Sequence, residues 1–169
     1  MGSGGGMQPI QVIREVAAGL AQDEFEKRYP DPFLILDAAA LRAVDRRLAD
    51  GKTIDRLVLS GPASRQGELL VASLVARNSG ERVVTIGTSP QCDISIDDAS
   101  ISKQHAFFDR AGDTWRLWDN DSAAGTFVND KPVVFNTPRP LTPGDYITLG
   151  TVDLTFLTSP LFYGFARQL

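Results

Sequence analysis

Residues 84–126 read VTIGTSPQCDISIDDASISKQHAFFDRAGDTWRLWDNDSAAGT, and the order of the short pieces in this run decides the fold. Ile86-Gly87-Thr88-Ser89 comes first, then Cys92-Asp93-Ile94, then Ser102-Lys103-Gln104-His105-Ala106. Trp115 to Asp119 and Ser122-Ala123-Ala124-Gly125-Thr126 complete it. Apolar and aromatic runs alternate here with clusters of small polar residues, which is how short strands and their connections read in sequence.

The same texture continues on both sides. Strands are expected at Leu69 to Val75, Val83 to Ile86, Ile94 to Ile96, Ala106 to Asp109 and Thr114 to Trp118, then at Thr126 to Val128, Lys131 to Val134, Tyr146 to Leu149 and Val152 to Leu157. Between them lie Asn78-Ser79-Gly80, Ala111-Gly112-Asp113, Asn129-Asp130 and Pro143-Gly144-Asp145, residues that turn a chain by tolerating positive φ or by fixing their own. Strands recurring this often predict an all-β sandwich.

The five pieces and the later run Leu141 to Gly150 resemble the forkhead-associated (FHA) family, β-sandwiches that bind phosphothreonine peptides. The resemblance can be followed from about Glu68 to Leu157. It implies a mainly β fold class, an FHA-like (SMAD/FHA-type) sandwich, here preceded by an α-helical N-terminal extension. It also implies that Thr88, Ser89, Ser102, Lys103, Ala123 and Ala124 stand where a phosphopeptide or other partner is bound, while Gly87, His105, Gly125 and Thr126 order the loops. In the family a serine at the Ser102 position gives its hydroxyl to the phosphate, and a basic residue often lies near it, as Lys103 does here.

Two positions depart from the family. Thr88 stands where an Arg usually grips the phosphopeptide, and Ala124 stands where an Asn usually grips the peptide backbone. A hydrogen bond to a charged group is worth about 1.5–3 kcal/mol net, so losing the Arg alone costs roughly tenfold to a hundredfold in affinity. The resemblance thus implies a non-catalytic protein-interaction or adaptor module that binds a protein partner through its loop face, independently of phosphate. Two alternatives stay open: a phosphothreonine-peptide reader in Ser/Thr kinase signalling, and a structural self-assembly component. An Arg arriving from elsewhere, Arg65 or Arg77, would restore the reader.

Charge agrees with the departures. Residues 66–169 hold eight Lys and Arg against twelve Asp and Glu, 8 − 12 = −4, whereas residues 1–65 balance at nine and nine. A dianionic phosphate meets a weakly repulsive field there, and an acidic chain without a basic stripe argues against nucleic acid. The apolar runs Phe33 to Leu36 and Leu69 to Val75 are far short of a membrane span of about 20 residues, so no membrane insertion is expected. A single cysteine, Cys92, excludes an internal disulfide and suits a reducing cytoplasm.

Before the sandwich the period changes. Ile10, Ile13, Val16, Ala17 and Leu20, then Glu24 to Phe25, recur at steps of about three and four, predicting an amphipathic helix over Gln8 to Lys27 that Tyr29-Pro30-Asp31-Pro32 must end. Phe33 to Leu36 reads as a buried extended segment or the start of a helix. Asp37 can cap a second helix with Leu41, Val44 and Leu48 on one face and Gly51 as its stop; Ile54 to Leu59 reads as a strand, and Gly61-Pro62 with Ser64 to Gly67 as a loop. The chain divides accordingly into 1–6, a cloning scar before a native Met7; 7–52, the helical extension; 53–67, a connecting segment; 68–158, the sandwich; and 159–169, a C-terminal tail whose Phe162, Tyr163 and Phe165 need something to pack on. The apolar face of the extension packs on the sandwich or serves as an arm, by which a homo-oligomer could form.

His105 is the only histidine, and Ser102 lies three residues before it. No nucleophile-elbow pattern surrounds Ser102, so neither is expected to be catalytic and no enzyme is expected. One Cys and one His cannot supply a structural zinc site, Asp97 and Asp98 point to opposite faces of a strand, and no phosphate-loop motif is present. No metal and no cofactor are expected. Trp115 and Trp118, three apart in a strand, should face opposite sides of the sheet.

Overall fold

The computed structural model describes residues 7–36, 69–78 and 80–169. The cap at Asp37, the helix face of Leu41, Val44 and Leu48, the strand at Ile54 to Leu59 and Arg65 lie outside the described residues. In chain order the elements are β1 (Gln8–Pro9), α1 (Ile10–Gly19), α2 (Gln22–Arg28), β2 (Phe33–Leu36), β3 (Leu70–Ser73), β4 (Val83–Gly87), β5 (Ile94–Ser95) and β6 (Ala106–Ala111). They continue with β7 (Thr114–Asp119), β8 (Thr126–Val128), β9 (Lys131–Pro132), β10 (Arg139–Pro140), β11 (Tyr146–Leu149), β12 (Val152–Leu157) and α3 (Ser159–Ala166).

Two sheets form a sandwich. One has seven strands in the order β1-β3-β2-β12-β11-β8-β9, the other five in the order β10-β7-β6-β4-β5. All ladders are antiparallel except β4 with β5. The alternation read in the sequence becomes the inner faces: Leu34, Phe108, Leu117, Ile147, Leu154 and Phe156 close the core between the sheets, each nearly or wholly buried. At about 25 cal/mol per Å² of apolar surface removed from water, this core is the main stabilising term.

The nine strands expected in the sandwich are all present, β8, β11 and β12 with the expected ends and the other six with shifted ones. β10 was not foreseen. It is two residues long and ends in Pro140, a residue that cannot donate to a ladder and so sits on the sheet edge. Trp115 packs against the core, whereas Trp118 lies on the outer face, stacked on Phe107 at 5.7 Å with its Nε1 donating to Asp109.

The extension differs from its sequence reading in two ways. The single helix expected over Gln8 to Lys27 is two helices: Gln8–Pro9 pair with β3, and the chain turns extended at Leu20 and Ala21 before α2 begins. Gly19 closes α1 at the cost of helix propensity, and Asp23 and Glu24 with Lys27 and Arg28 place charge to suit the dipole of a second, separate helix. The second difference is β2. It is hydrogen-bonded between β12 and β3, so the seven-stranded sheet begins before residue 68 and the segment from residue 7 is not purely helical. Its sequence, Phe-Leu-Ile-Leu, has no polar side because both of its faces are covered.

What covers the second face is a separate apolar cluster. Phe33, Ile35, Val71 and Leu157 meet Ile10, Ile13 and Ala17 of α1, Phe25 of α2, and Phe162 and Phe165 of α3. Phe33 and Phe162 stack at 4.1 Å, and the Tyr163 hydroxyl donates to the Leu20 carbonyl at 3.0 Å. The apolar faces of α1 and α2 are therefore buried within the chain, the first of the two alternatives that the sequence kept open. Among the described residues of α1 the large apolar side chain left exposed is Val12.

Candidate functional site

Strand direction gathers the loops. β4 and β7 run toward one end of the sandwich and β6, β8 and β12 run away from it, so the β4–β5, β5–β6 and β7–β8 loops and the β11–β12 turn share that end. Thr88 and Ser89 lie on the first loop, Ser102 and Lys103 on the second, Ala123 and Ala124 on the third.

Backbone contacts tie these loops together. The Thr88 and Ser89 amides donate to the Ser102 and Lys103 carbonyls at 3.1 and 3.0 Å. This needs Gly87, since a Cβ there would overlap the Lys103 carbonyl oxygen and stand 2.9 Å from that of Ser102. From the other side Asn120 Nδ2 donates to the Gln104 carbonyl, and its amide to that of His105. The middle loop is thus clasped from both sides.

His105 is fully buried at the centre. Its Nδ1 accepts the Ser102 amide at 3.0 Å and its Nε2 lies 2.9 Å from the Gly125 carbonyl, which requires the tautomer with the proton on Nε2. Gly125, at φ 90°, also accepts from the Gly150 amide. Both ring nitrogens are spent on backbone, and neither is available to activate the Ser102 hydroxyl.

Ser102 Oγ accepts the Ala123 amide at 3.1 Å, which leaves its own O–H proton free to donate outward. Lys103 is exposed beside it, and Thr88 and Ser89 are half-buried. Ser89 Oγ accepts the Gln91 amide. Ala123 and Ala124 are exposed and contribute methyl groups only. Arg77, the described candidate for a replacement Arg, donates its Nη1 to the Pro90 carbonyl at 2.8 Å.

Two buried carboxylates hold the loop bases, and residue-by-residue reading of the sequence missed both. Asp119 accepts from the Ser122 and Thr126 hydroxyls and the Ser122 amide, fixing the β7–β8 loop. Asp93 accepts the Arg77 amide at 2.7 Å, the Thr85 amide at 2.8 Å and the Thr85 hydroxyl at 2.9 Å. The signal was there for Asp119: an Asp with Ser three residues on is a side-chain turn pattern. For Asp93, the partners are eight and sixteen residues away and only the fold joins them.

Burial works against ionising both groups, but the hydrogen bonds outweigh it, and each carboxyl is held below its ordinary value. A carboxylate depressed in the folded state adds stability above its unfolded value of about 4, and that stability is lost as pH falls through the lowered native value. The melting temperature is therefore expected to fall steeply below about pH 4, and less steeply in Asp93→Asn and Asp119→Asn, whose melting temperatures at neutral pH are already reduced. A variant with the wild-type acid limb would remove that carboxylate from the account.

Cys92 is buried, with Sγ donating to the Lys103 carbonyl at 3.3 Å, and burial pushes its thiol upward, away from reactivity. Asp98 accepts from the Ser100 amide and hydroxyl, and Ser100 Oγ accepts the Thr151 amide. No group of three or more metal-ligating side chains occurs among the described residues. Nor, among them, is any helix long and apolar enough to cross a membrane.

This clasped arrangement can be compared with known proteins. A family model, FHA domain, matches residues 84–150. The oxoglutarate dehydrogenase inhibitor of Corynebacterium glutamicum is 33% identical over 113 residues, 60% of this chain and 77% of that one. The chain belongs to the FHA-domain family. Other FHA relatives are matched over less of their length. The oxoglutarate dehydrogenase inhibitor of Corynebacterium jeikeium is 34% identical over 98 residues, 54% of this chain and 66% of that protein. Glycogen accumulation regulator GarA of Mycolicibacterium smegmatis is 33% identical over 100 residues, 56% of this chain and 61% of that protein. The chain thus spans between three-fifths and two-thirds of the length of these two curated relatives. The structure shows the close approach at Gly87, the His105 clasp and the Ser102 Oγ contact with the Ala123 amide, while Thr88 and Ala124 carry neither a guanidinium nor an amide.

Proposed function

We propose that this chain is a non-catalytic protein-interaction module that receives an extended segment of a partner protein on its loop face, with phosphate contributing little. The observation that supports this reading is the contrast between an ordered loop framework and the small, uncharged side chains at its tips, Thr88, Ala123 and Ala124. A rigid face binds without a large ordering cost, and a face of hydroxyls and methyls recognises shape more than charge. That relatives carry the names inhibitor and regulator supports a role in which occupying the partner is itself the effect. The absence of catalysis rests on His105, whose nitrogens are both engaged. A cytoplasmic setting suits the single, buried thiol of Cys92.

A second reading has its own observation. The Ser102 O–H is free to donate and Lys103 stands beside it, which favours weak recognition of phosphothreonine. Fluorescence anisotropy against a degenerate phosphothreonine peptide library and its unphosphorylated twin separates the two. The expected result is saturable binding to both, with phosphate worth less than about tenfold. Binding that requires phosphate and is lost in Ser102→Ala would establish the reader instead. Thr88→Arg with Ala124→Asn should convert the chain, raising phosphate preference by roughly tenfold to a hundredfold through a guanidinium fork and a side-chain amide. No gain in the double variant would show that more than these two groups is missing.

A further inference from the structure

The end of the sandwich opposite the loop face carries the β6–β7 turn, the segment between β3 and β4, and the approach to β2. A cleft of about 530 Å³ opens there, a size that takes a small ligand or a large side chain. The buried Leu74 and Val84 and the partly buried Trp115 line it together with Asp31, Arg82 and Arg110.

Asp31 is the unusual group in this wall. It stands between Pro30 and Pro32, whose rings fix their own φ, and the Pro32 carbonyl accepts the Leu74 amide at 2.8 Å, so the backbone holds Asp31 at the cleft. Its carboxyl is partly buried and, among the described residues, accepts no hydrogen bond and forms no ion pair. Burial pushes it above the ordinary carboxylate value, and the charge of Arg110 pulls the other way. Arg110 itself is spent on the turn, its Nε donating to the Gly112 carbonyl at 2.9 Å and its Nη2 pairing with Asp113 at 3.3 Å. Glu81 accepts from Asn78 Nδ2. Around the cleft Arg82 and Arg110 meet Asp31, Glu81 and Asp113, 2 − 3 = −1, and the carboxylate left without a donor is Asp31.

The same sheet shows what completes such a set. On its outer face Asp109 accepts from Arg116 Nε at 2.8 Å and from Trp118 Nε1 at 3.0 Å, and the Arg116 guanidinium lies over the Trp118 ring at 5.4 Å. Carboxylate, indole and guanidinium are all present there. The cleft has a carboxylate and an indole, Asp31 and Trp115, and among the described residues no guanidinium is bonded to either.

We infer that the cleft takes an arginine side chain from a protein partner, its guanidinium fork on the Asp31 carboxylate and its plane against the Trp115 ring. A planar fork suits a carboxylate beside an indole better than an ammonium does. A chain of net charge −4 also draws a basic partner. The inference stands apart from the loop-face reading: the two sites lie at opposite ends of the sandwich, so a partner in the cleft leaves the loop face open.

The test follows the intact chain by amide and indole NMR, with Nα-acetyl-arginine methylamide as the probe and the equally blocked norleucine, lysine and glutamate as controls. Saturable shifts at Trp115 are expected with the arginine probe, at a dissociation constant on the order of millimolar. Asp31→Asn should weaken that binding by about tenfold or more. The variant should melt at or above the wild-type temperature, because it removes a partly buried charge to which no protein group is bonded. Equal binding of any control, binding that survives Asp31→Asn, or no saturation at all overturns the inference. So does a melting temperature lowered by Asp31→Asn, which would make the carboxylate part of the framework. Tighter binding of agmatine than of the blocked residue would give the cleft to a small amine, and a dimer dissociated by Asp31→Asn would give it to a second copy; either result overturns docking of a partner's arginine. Ser102→Ala should leave the arginine shifts unchanged, so failure here and failure at the loop face are read separately.

Discussion

Gly87→Ala is expected to lower stability by about 2–3 kcal/mol and to disorder the recognition end of the sandwich. Gly87 ends β4 where the chain crosses beneath the β5–β6 loop. Its conformation is not left-handed, so space alone is at issue. The added methyl would overlap the Lys103 carbonyl oxygen, with Lys103 C at 2.7 Å and the Ser102 carbonyl oxygen at 2.9 Å. These are backbone atoms held by Thr88, Ser89 and Cys92, in a loop that Asn120 also ties at Gln104 and His105, and they cannot swing aside as a side-chain tip would. Relief comes only by separating the loops, which breaks the Thr88 and Ser89 hydrogen bonds and moves Ser102. For a chain of this length the loss corresponds to a fall of roughly 4–12 °C in melting temperature. Gly164→Ala is the control: it lies in α3, nothing stands within 4 Å of its added methyl, and it should gain up to about 1 kcal/mol of helix propensity. If Gly87→Ala melts with the wild type, the close approach of the two loops is wrong.

The second large effect is His105→Ala, expected to cost about 3–5 kcal/mol. Truncation leaves a cavity at a fully buried site and strands the Ser102 amide, whose partner is Nδ1. The Gly125 carbonyl fares better, because it keeps the Gly150 amide. Stability and partner binding should fall together, since Ser102 and Ala123 are positioned through this ring. A variant with unchanged melting temperature but lost function would contradict the clasp and reopen a chemical role.

Much of this was legible in the chain. Strand positions followed from alternation and turn residues because the side-chain period of a strand is local and needs no knowledge of the partner strand. The family pattern exposed Gly87, Ser102, His105 and Gly125 for the same reason: each is required by a loop geometry repeated in a fixed order. The missing guanidinium and amide at Thr88 and Ala124 were equally plain. Asp93 and Asp119 were not, since an acidic residue in a loop is solvated unless something distant donates to it, and Thr85 and Arg77 become neighbours of Asp93 only through strand pairing.

By itself, then, the sequence determined that the chain is a sandwich of this family, where its loops fall, and that two of the usual grips are absent, because composition and spacing are written along the chain. Tertiary structure alone decided three other things. It split Gln8 to Lys27 into a strand and two helices, placed Phe33–Leu36 inside the sheet, and brought Arg77 and Thr85 to the Asp93 carboxylate. In each case the deciding interaction joins residues far apart in the chain, and whether an apolar face ends up buried or exposed depends on what the fold sets against it.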